Sequence, residues 1–364
     1  MTMNLPELLH PDNVEDGCLG HSAGELVWNV TYSCNLRCMH CYLPSSSKRS
    51  ELSLEEGLKL IDEVRAIFGA GSQLVLSGGE PLLRPDVYEL VEYASSLGLR
   101  VALASNGTLI DLEVARKLKQ AGLDELAISI DGATKTSHDH IRGVQGAFDA
   151  AIQGALNAKK TGLSLQLHFT LMESNVNELP SLIELAEHLQ ARRLFIFDLI
   201  PTGRGAFLKP HGLDPLALFD YLFKEQRRFK VWLKPQCYPY FWVYLLSKAG
   251  DLGVDEEVLK GYFKGCLAGR SMVRVSPDGE VTPCPFLPVS VGNVKKDRLS
   301  YLWRSSKVFE ELRSRDKFRD ACGGCVLKEV CGGCRAKAYA LLNDYLAEDP
   351  SCPYAHAPSS MSRA

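Results

Sequence analysis

The sequence lacks the features of a membrane, secreted or nucleic-acid-binding protein. No run approaches about 18 consecutive apolar residues, so no segment is expected to span a bilayer. The N-terminal stretch MTMNLPELLHPDNVEDG contains neither a basic n-region nor a continuous apolar h-region, so we do not expect a secretory signal. A formal net charge of -3 over 364 residues gives no polyelectrolyte signal. These absences predict a cytoplasmic protein with no membrane or nucleic-acid partner.

Cysteine, in contrast, is abundant, with twelve residues in the chain. In a reducing compartment such thiols bind metals or take part in catalysis more often than they form disulfides. Only Cys18 and Cys237 stand apart from two groups, and this clustering favours metal binding over buried core cysteines. The groups are Cys34, Cys38 and Cys41 near the start, and Cys266, Cys284, Cys322, Cys325, Cys331, Cys334 and Cys352 near the end.

Short apolar runs alternate with amphipathic stretches of helical length between residues 25 and 200. The predicted strands are 25–30, 74–78, 100–104, 125–130, 165–171 and 194–200. The predicted helices are 53–69, 85–97, 111–121, 146–161 and 178–190. Six strands separated by helices imply parallel pairing through right-handed crossovers. We therefore predict an α/β fold, a partial (β/α)6 barrel similar to a TIM barrel.

Polar segments follow the predicted strands where each strand ends. TYSCNLRCMHC follows the first strand, GGEP the second, SNG the third, SIDG the fourth and PTGRG the sixth. In such barrels the chemistry lies at the carboxyl ends of the strands. The thiols and the glycine-rich turns are therefore expected to converge on one rim.

The spacing C-x3-C-x2-C of the first group can wrap one tight loop around three corners of a four-iron cluster. Three thiolates leave the fourth iron free to take a small chelating ligand. A zinc site is the alternative, but tetrahedral zinc needs a fourth protein ligand. His40 is adjacent to Cys41 and poorly placed to be that ligand.

This loop resembles that of the radical S-adenosylmethionine (radical SAM) superfamily, in which an aromatic residue follows the third cysteine, as Tyr42 does here. The resemblance implies a [4Fe–4S] cluster on Cys34, Cys38 and Cys41 and places Tyr42 near the adenine. In this family, reductive cleavage of S-adenosylmethionine gives a 5′-deoxyadenosyl radical, which abstracts hydrogen from an unactivated carbon. The protein contributes chelation, enclosure and orientation.

Other rim residues match the same family. SGGEP resembles its glycine-rich motif, in which Gly78 and Gly79 allow close backbone approach and Glu80 accepts hydrogen bonds from the methionine ammonium. The remaining candidates for contacts with S-adenosylmethionine are Ser105 and Asn106 for the ribose, and Ser129 and Arg142 for the methionine portion. Turn or cap chemistry is the alternative for Ser129 and Asp131. His138 and His140 are interpreted as polar helix residues.

The second cysteine group resembles the SPASM extension of some radical SAM enzymes, which carries auxiliary 4Fe–4S clusters. The last interval, CGGC, departs from the family's usual three intervening residues and leaves the ligand assignment open. The family pattern assigns Cys266, Cys284 and Cys334 to an inner cluster, and Cys322, Cys325, Cys331 and Cys352 to an outer one. Either Cys237 or a non-cysteine ligand could complete the inner cluster, or the site could stay open; Cys237 could instead be a buried structural cysteine. A zinc ribbon is the alternative for 322–334.

These assignments divide the chain into five parts. They are an N-terminal extension (1–21), a radical SAM partial barrel (22–205), a bridging region (206–265), a SPASM domain (266–354) and a tail expected to be disordered (355–364). The bridge contains the aromatic cluster CYPYFWVYLL, which we interpret as an amphipathic helix covering the barrel mouth. A flat stacking surface for a ligand is the alternative.

The substrate class follows from resemblance alone. The stretches around the first cysteines, 265–294 and 331–354, together with PTGRG, resemble the radical SAM enzymes that modify tetrapyrroles in heme pathways. The resemblance implies either decarboxylation of propionate side chains or removal of acetate groups, and both alternatives stay open. Arg204, Lys209 and Arg270 are candidate cations for substrate carboxylates, with the aromatic bridge as an apolar floor; for Arg204 a simple helix-start loop is the alternative. An external electron donor such as ferredoxin or flavodoxin is implied.

Two other hypotheses stay open. The first is a maturase of ribosomally made peptides, although only about 24 residues precede the first strand, too few for the N-terminal peptide-recognition domain common in that class. The second is a non-catalytic iron–sulfur or zinc scaffold, which the retention of Cys34, Cys38, Cys41 and Glu80 disfavours.

Overall fold

The structure is a computed structural model that describes residues 24–43, 50–262 and 265–355. The predicted N-terminal extension, nearly all of the predicted disordered tail and Cys18 lie outside the described residues.

A ten-stranded sheet runs through the described chain in the order β10-β9-β8-β1-β2-β3-β4-β5-β6-β7. The strands from β8 through β1 to β7 are parallel to their neighbours, whereas β9 and β10 add to the β8 side in antiparallel fashion. The strands are β1 Glu25–Asn29, β2 Gln73–Ser77, β3 Arg100–Ser105, β4 Glu125–Ser129, β5 Ser164–Leu171, β6 Arg193–Asp198, β7 Trp232–Gln236, β8 Met272–Val275, β9 Glu280–Thr282 and β10 Gly292–Asn293.

Helices connect the strands and cover one face of the sheet. They are α1 Leu54–Phe68, α2 Val87–Ser96, α3 Leu112–Gln120, α4 Lys135–Arg142, α5 Ala147–Lys160, α6 Leu179–His188, α7 Pro215–Glu225, α8 Phe241–Ser247, α9 Ala249–Leu252, α10 Glu256–Tyr262, α11 Leu299–Ser305, α12 Lys307–Ser314, α13 Asp320–Gly324 and α14 Arg335–Leu342. Within the described part of the chain, 3-10 turns lie at Pro81–Leu83, Val176–Glu178 and Gly203–Phe207.

Strand β1 shows how the sequence separates the two faces of the sheet. Leu26 and Trp28 are fully buried in the core between sheet and helices, whereas Glu25 and Val27 line an interior cavity. This alternation follows from the two-residue period of a strand. Helix α1 can pack closely on Trp28 because Gly57 has no side chain; a Cβ there would lie 2.5 Å from the indole ring.

The six predicted strands and five predicted helices are confirmed, with ends shifted by a few residues at most. Ser53 begins α1 with a capping box: Glu56 N–H donates to Ser53 Oγ (3.2 Å), and Ser53 N–H donates to Glu56 (2.8 Å). The sequence did not predict β7 and set no bounds for α4, although the interpretation of His138 and His140 as polar helix residues is confirmed by that helix. Strand β7 contains Pro235, which is tolerated because β7 lies at an edge of the sheet.

The predicted bridge (206–265) is less separate than its irregular sequence indicated. It contributes β7 to the sheet and contains helix α8, whose residues Phe241, Tyr244, Leu245 and Leu246 are buried in the core. Tyr244 and Phe241 pack around Phe219 of α7. Helix α8 thus buries one face in the core, and its Trp242 lines the interior cavity; the interpretation of this helix as an amphipathic cover over the barrel mouth stays a prediction.

The predicted SPASM domain begins with a strand of the same sheet. Strand β8 pairs in parallel with β1, so that Val273 lies opposite Leu26 and Val275 opposite Trp28. The sheet thus crosses the predicted boundaries at 205/206 and 265/266, and the division into domains stays a prediction. Among the helices of the described ranges, none has both the length and the apolar character needed to cross a membrane.

Candidate active site

A cavity of about 480 Å³ occupies the inner face of the sheet. Its wall includes residues from the loop after β1, from both ends of several strands and from the C-terminal region. The predicted site residues that line it are Cys34, Cys38, Cys41, Tyr42, Gly78, Gly79, Ser105, Asn106, Ser129, Arg142, Cys266, Cys284 and Cys334. The rim loops therefore converge as the strand order predicted.

The loop that carries Cys34, Cys38 and Cys41, hereafter the three-thiol loop, is fixed by backbone hydrogen bonds on two sides. Arg37 N–H and Met39 N–H donate to the carbonyl groups of Arg142 and Ile141, at 3.0 and 2.9 Å. On the other side, Arg204 donates its Nε to Cys38 O (2.8 Å) and its backbone N–H to Cys41 O (2.9 Å). The PTGRG segment thus binds the three-thiol loop.

Two glycines allow neighbouring loops to approach the three-thiol loop. Gly79 N–H donates to Thr31 O (2.8 Å), and a Cβ at Gly79 would lie within 3 Å of both Ser33 and Cys34. Gly203 adopts a left-handed φ of 55°, and a Cβ there would lie 2.6 Å from Cys41 O. These glycines allow protein loops to approach closely, and the predicted ligand contact of Gly79, which lines the cavity, stays a prediction.

A buried charge cluster lies beside Cys38. Arg142 donates Nη1 to Cys38 Sγ (3.5 Å) and pairs through Nη2 with Asp131 (2.7 Å), which also lies 3.3 Å from His40 Nε2. Burial alone raises the pKa of Asp131, but Arg142, His40 and the hydrogen bond from Thr170 N–H together outweigh it, so that the pKa lies below its ordinary value. Asp131 is therefore an ionised anchor for Arg142, a role beyond a turn or cap. The predicted contact of Arg142 with a methionine carboxylate stays a prediction.

Glu80 links the second and third rim loops. Its carboxylate accepts hydrogen bonds from Ser105 Oγ (2.8 Å), Asn106 N–H (2.8 Å) and Leu82 N–H (3.2 Å). Burial raises its pKa to about 7, against the lowering by these donors. Glu80 is not among the described residues that line the cavity, so its predicted contact with a methionine ammonium stays a prediction.

The third rim loop is in turn fastened to the three-thiol loop. Asn106 donates Nδ2 to Asn35 Oδ1 (2.8 Å), and its own Oδ1 accepts from Thr108. Ser129 lies at the end of β4 on the cavity wall. The structure therefore brings Ser105, Asn106 and Ser129 to the cavity, where they stay candidates for ligand contact.

Tyr42 connects the barrel with the C-terminal region. Its hydroxyl accepts from Asn29 Nδ2 (2.8 Å), and Asn29 Oδ1 accepts from Arg274 Nε of β8 (2.6 Å). Its ring packs edge-on against Phe286 with centroids 5.0 Å apart. The aromatic residue after the third cysteine is thereby held at the cavity wall by both parts of the chain.

The apolar part of the cavity wall comes from β6 and from the C-terminal region. Phe195 and Phe197 of β6 flank His168 of β5, with centroids 5.2 Å from it, and Phe286 packs on Phe197. The bridge adds Tyr238 and Trp242 to this wall. An aromatic wall was predicted, but most of the bridge aromatics pack in the core.

Two of the three predicted substrate cations lie elsewhere. Lys209 is exposed and pairs with Glu173 (3.6 Å), and Arg270 pairs with Glu329 (3.6 Å); neither lines the cavity. Arg204 does line it. The cations that sequence reasoning missed are Arg100, Arg193 and Lys234. They point inward from the starts of β3 and β6 and from β7.

A signal for inward-facing residues was present in the sequence. In LQLHFTL the polar residues Gln166, His168 and Thr170 alternate with apolar ones, and all three line the cavity. The same period of two places Arg193, Phe195 and Phe197 of β6 on that wall. Burial lowers the pKa of His168 to about 4, with a further contribution from Arg142, so the imidazole is neutral at neutral pH.

The inner thiols converge at the end of β7. Cys237 follows that strand in a left-handed conformation (φ 65°), and its thiol is hydrogen-bonded with that of Cys334. Besides burial, the charge of Cys334 raises the pKa of Cys266, and the charges of Cys266 and Cys334 raise the pKa of Cys284, so these three thiols lie near one another. All four thiols line the cavity. Cys237 therefore joins the three cysteines that the family pattern assigns to the inner cluster.

The outer thiols form a second set. Besides burial, the charges of Cys322 and Cys325 raise the pKa of Cys352, and those of Cys352 and Cys322 raise the pKa of Cys331, so these thiols lie near one another. Burial raises the pKa of Cys331 and Cys352, so a bound metal would be needed to hold them as thiolates. Across the described ranges, no three His, Cys, Asp or Glu side chains are placed to hold a single metal ion. Two sets of four thiols have the donor chemistry of iron–sulfur clusters.

Comparison with known proteins extends these observations. The radical SAM superfamily model matches residues 28–186, and the SPASM iron–sulfur cluster-binding domain matches residues 266–334. An AdoMet-dependent heme synthase of Methanosarcina barkeri is 39% identical over 90% of this chain and 96% of its own length. The mycofactocin maturase MftC of Mycobacterium tuberculosis is 34% identical over 82% of this chain and 75% of its own length.

The fold is also found in a solved structure. Streptococcus suis SuiB bound to its precursor peptide SuiA superposes with a TM-score of 0.74 at 18% identity, covering 94% of this chain and 79% of SuiB. With the family models and the relatives at more than 30% identity, this similarity agrees with the thiol sets and the barrel described above. The chain belongs to the radical SAM superfamily, as an enzyme with a C-terminal SPASM iron–sulfur cluster-binding domain.

Proposed function

We propose that this enzyme removes carboxyl groups from the propionate side chains of an iron-containing tetrapyrrole, in the formation of heme or a modified heme. The observation that carries the proposal is the 39% identity with an AdoMet-dependent heme synthase over nearly the full length of both chains. Such coverage includes the barrel, the bridge and the C-terminal region, and therefore every wall of the cavity.

The residues of the three-thiol loop fit a [4Fe–4S] cluster with one open iron. Cys34, Cys38 and Cys41 share one short loop on the cavity wall; Cys34 and Cys41 are hydrogen-bonded to backbone groups, and Cys38 accepts from Arg142. When bound, the cluster and S-adenosylmethionine supply a 5′-deoxyadenosyl radical that abstracts a hydrogen atom from the substrate. Arg142 and Arg204 fix the loop, and Asp131 holds Arg142 in place.

The cavity suits a flat apolar macrocycle with acidic side chains. Phe195, Phe197 and Phe286 form an aromatic wall, and Arg204 brings a cation to the rim beside the three-thiol loop. Deeper in the barrel Lys234 lines the same cavity, and Arg193 lines it as the partner of Glu125 (2.6 Å). Cations around an aromatic surface are the groups expected to recognise propionate carboxylates on a tetrapyrrole.

The proposed reaction removes one hydrogen atom and the carboxyl group from each propionate side chain. Loss of a hydrogen atom from the carbon next to the ring, followed by cleavage of the bond to the carboxylate, yields a vinyl group, carbon dioxide and one electron. The electron passes to an oxidised iron–sulfur cluster or to an external electron carrier. A reductant such as ferredoxin or flavodoxin in the cytoplasm would supply the electron that starts each cycle.

For the auxiliary clusters we propose four thiolate ligands each. The inner cluster takes Cys237 with Cys266, Cys284 and Cys334, and the outer cluster takes Cys322, Cys325, Cys331 and Cys352. The support for Cys237 is its contact with Cys334 and its position on the same cavity wall.

The test is a product assay under anaerobic conditions. The reconstituted enzyme is incubated with S-adenosylmethionine, dithionite and iron-coproporphyrin, and the porphyrin is analysed by mass spectrometry. We expect the mass loss of one carboxyl group and one hydrogen per side chain, with 5′-deoxyadenosine formed alongside. An unchanged iron-coproporphyrin would refute the proposal, and turnover of didecarboxysiroheme instead would redirect it to removal of acetate groups.

A peptide substrate is the second candidate, favoured by the 34% identity with a mycofactocin maturase. The two candidates differ in what stimulates cleavage of S-adenosylmethionine. If 5′-deoxyadenosine forms only after a precursor peptide is added, and iron-coproporphyrin stays unchanged, the enzyme is a peptide maturase.

A further inference from the structure

Lys337 is a fully buried cation next to the inner thiols. It lies on α14, three residues after Cys334, and 2% of the residue is exposed. Its ammonium pairs with Asp198 and donates to Tyr240 OH (3.1 Å). It also lies 4.6 Å from the ring centroid of Tyr238. Burial of an ammonium is costly without such partners, and here they hold the charge at one point.

Asp198 brings this charge pair to the barrel. It is the last residue of β6 and lines the cavity, and its other carboxylate oxygen lies 3.5 Å from His211 Nε2. Burial alone raises the pKa of Asp198, but Lys337 and His211 together outweigh it through their charges and hydrogen bonds, so the pKa lies below the ordinary value. The pair therefore stays ionised and spans from β6 to helix α14.

The position relative to the thiols is fixed by the chain. Cys334 is the N-cap residue of α14, and Lys337 lies three residues further on, in the first turn of that helix. Cys237 directly precedes Tyr238, whose ring the ammonium contacts. The charge of Lys337 reaches both thiols and favours their thiolate forms.

We propose that Lys337 and Asp198 together set the reduction potential of the inner iron–sulfur cluster. The inference rests on the proposed ligation of that cluster by Cys237, Cys266, Cys284 and Cys334. Reduction adds one electron and no proton to a cluster that is already anionic. A fixed ammonium nearby favours the reduced state, and a fixed carboxylate opposes it, because the interaction of charges is strong in a dry interior. Lys337 and Asp198 are positioning residues, acting through the cluster.

The two partners therefore have opposite effects, which a role in packing alone would not produce. Lys337→Met removes the positive charge with little change in volume and should shift the midpoint potential of the inner cluster to a more negative value. Asp198→Asn removes the negative charge and should shift it to a more positive value. Lys337→Arg keeps the charge and should restore most of the wild-type potential.

The experiment is a redox titration followed by electron paramagnetic resonance, without S-adenosylmethionine or substrate. The full chain carries alanine at Cys34, Cys38 and Cys41, so that only auxiliary clusters contribute signals, and the outer cluster serves as an internal reference. Glu125→Gln is the matched control, since it breaks a buried ion pair with Arg193 (2.6 Å) at the opposite ends of the strands. This control should lose stability without moving either potential.

Shifts of opposite sign in Lys337→Met and Asp198→Asn support the inference. Shifts of the same sign, or no shift, overturn it. If Lys337→Met fails to fold, Asp198→Asn alone decides, because an unchanged inner potential in that variant also overturns the inference. The outcome is independent of the substrate: an enzyme that acts on a peptide would leave the potential shifts intact, whereas the porphyrin assay would fail.

Discussion

The contact between Gly203 and the three-thiol loop leads to a prediction with a built-in control. Gly203 and Gly212 both have a left-handed φ, at 55° and 72°. A Cβ at Gly203 would lie 2.6 Å from Cys41 O and 2.7 Å from Tyr42 Cα, whereas a Cβ at Gly212 would meet no atom within 4 Å. Alanine at either position should be strained by its backbone, but only Gly203→Ala should displace the three-thiol loop.

The energetic cost of each glycine substitution is estimated from two contributions. An L-residue in the left-handed region costs about 1–2 kcal/mol, and this applies equally to both variants. Overpacking against a rigid backbone adds about 1–3 kcal/mol, and this applies to Gly203→Ala alone. Since each factor of ten corresponds to about 1.4 kcal/mol, the loop should open about 5- to 150-fold more often in Gly203→Ala than in Gly212→Ala.

Loss of iron to a chelator measures this opening. Each variant is prepared with alanine at Cys266, Cys284 and Cys334 and at Cys322, Cys325 and Cys331, so that the iron followed belongs to the three-thiol loop. The rate of transfer to a coloured chelator should be higher in Gly203→Ala by the stated factor. Equal rates in the two glycine variants would show that PTGRG does not support the three-thiol loop.

Further predictions concern the cluster ligands, a buried histidine and a buried ion pair. Cys38→Ala should abolish cleavage of S-adenosylmethionine, whereas Cys322→Ala should keep basal cleavage and lose product, both followed as 5′-deoxyadenosine and porphyrin; full turnover in both variants would refute the cluster assignments. Cys237→Ala should alter the electron paramagnetic resonance signal of the inner cluster and lower the iron content per chain. An unchanged spectrum would show that Cys237 is a structural cysteine and not a ligand. Burial lowers the pKa of the fully buried His138 to about 4, with Arg142 adding to the effect, so the unfolded chain binds a proton between about pH 6.5 and 4 that the folded chain does not. The free energy of unfolding should therefore fall by about 1.4 kcal/mol per pH unit as the pH drops through that window. In His138→Asn, which keeps an acceptor for Asp131 N–H, the free energy of unfolding should depend less steeply on pH. The same pH dependence in both proteins would contradict this. Glu125→Gln should lower the free energy of unfolding by about 3–5 kcal/mol in denaturant titrations because it leaves Arg193 buried without its carboxylate, and a loss below about 1 kcal/mol would contradict this.

The sequence predicts the barrel well because its signals are local. Each of the six strands is a short apolar run bounded by turns, and the polar rim loops follow from the direction of parallel strands. The same reasoning misses β7, whose sequence WLKPQ is interrupted by Lys234 and Pro235. It identifies His138 and His140 as helix residues but sets no bounds for α4, because the sequence KTSHDHIR is too polar to show an apolar face.

The candidate site likewise contains residues that local sequence spacing places and residues whose position depends on the tertiary structure. Spacing alone brings Cys34, Cys38 and Cys41 into one loop. The fourth inner thiol required the pairing of β7 with β6, because Cys237 is distant in sequence from Cys266 and Cys334. The role of Arg204 likewise depends on where a distant loop lies, and its contacts with the backbone of Cys38 and Cys41 could not be deduced from composition.

The pairing of β8 with β1 has a consequence for how this enzyme can be dissected. A fragment that stops before Met272 would leave the edge of β1 without its neighbour, and bare strand edges recruit other chains. The same truncation would remove Arg274, whose Nε donates a hydrogen bond to Asn29 Oδ1. Excising the C-terminal part to obtain a minimal catalytic barrel should therefore give aggregates, and dissection by point substitution of cysteines is the sounder strategy.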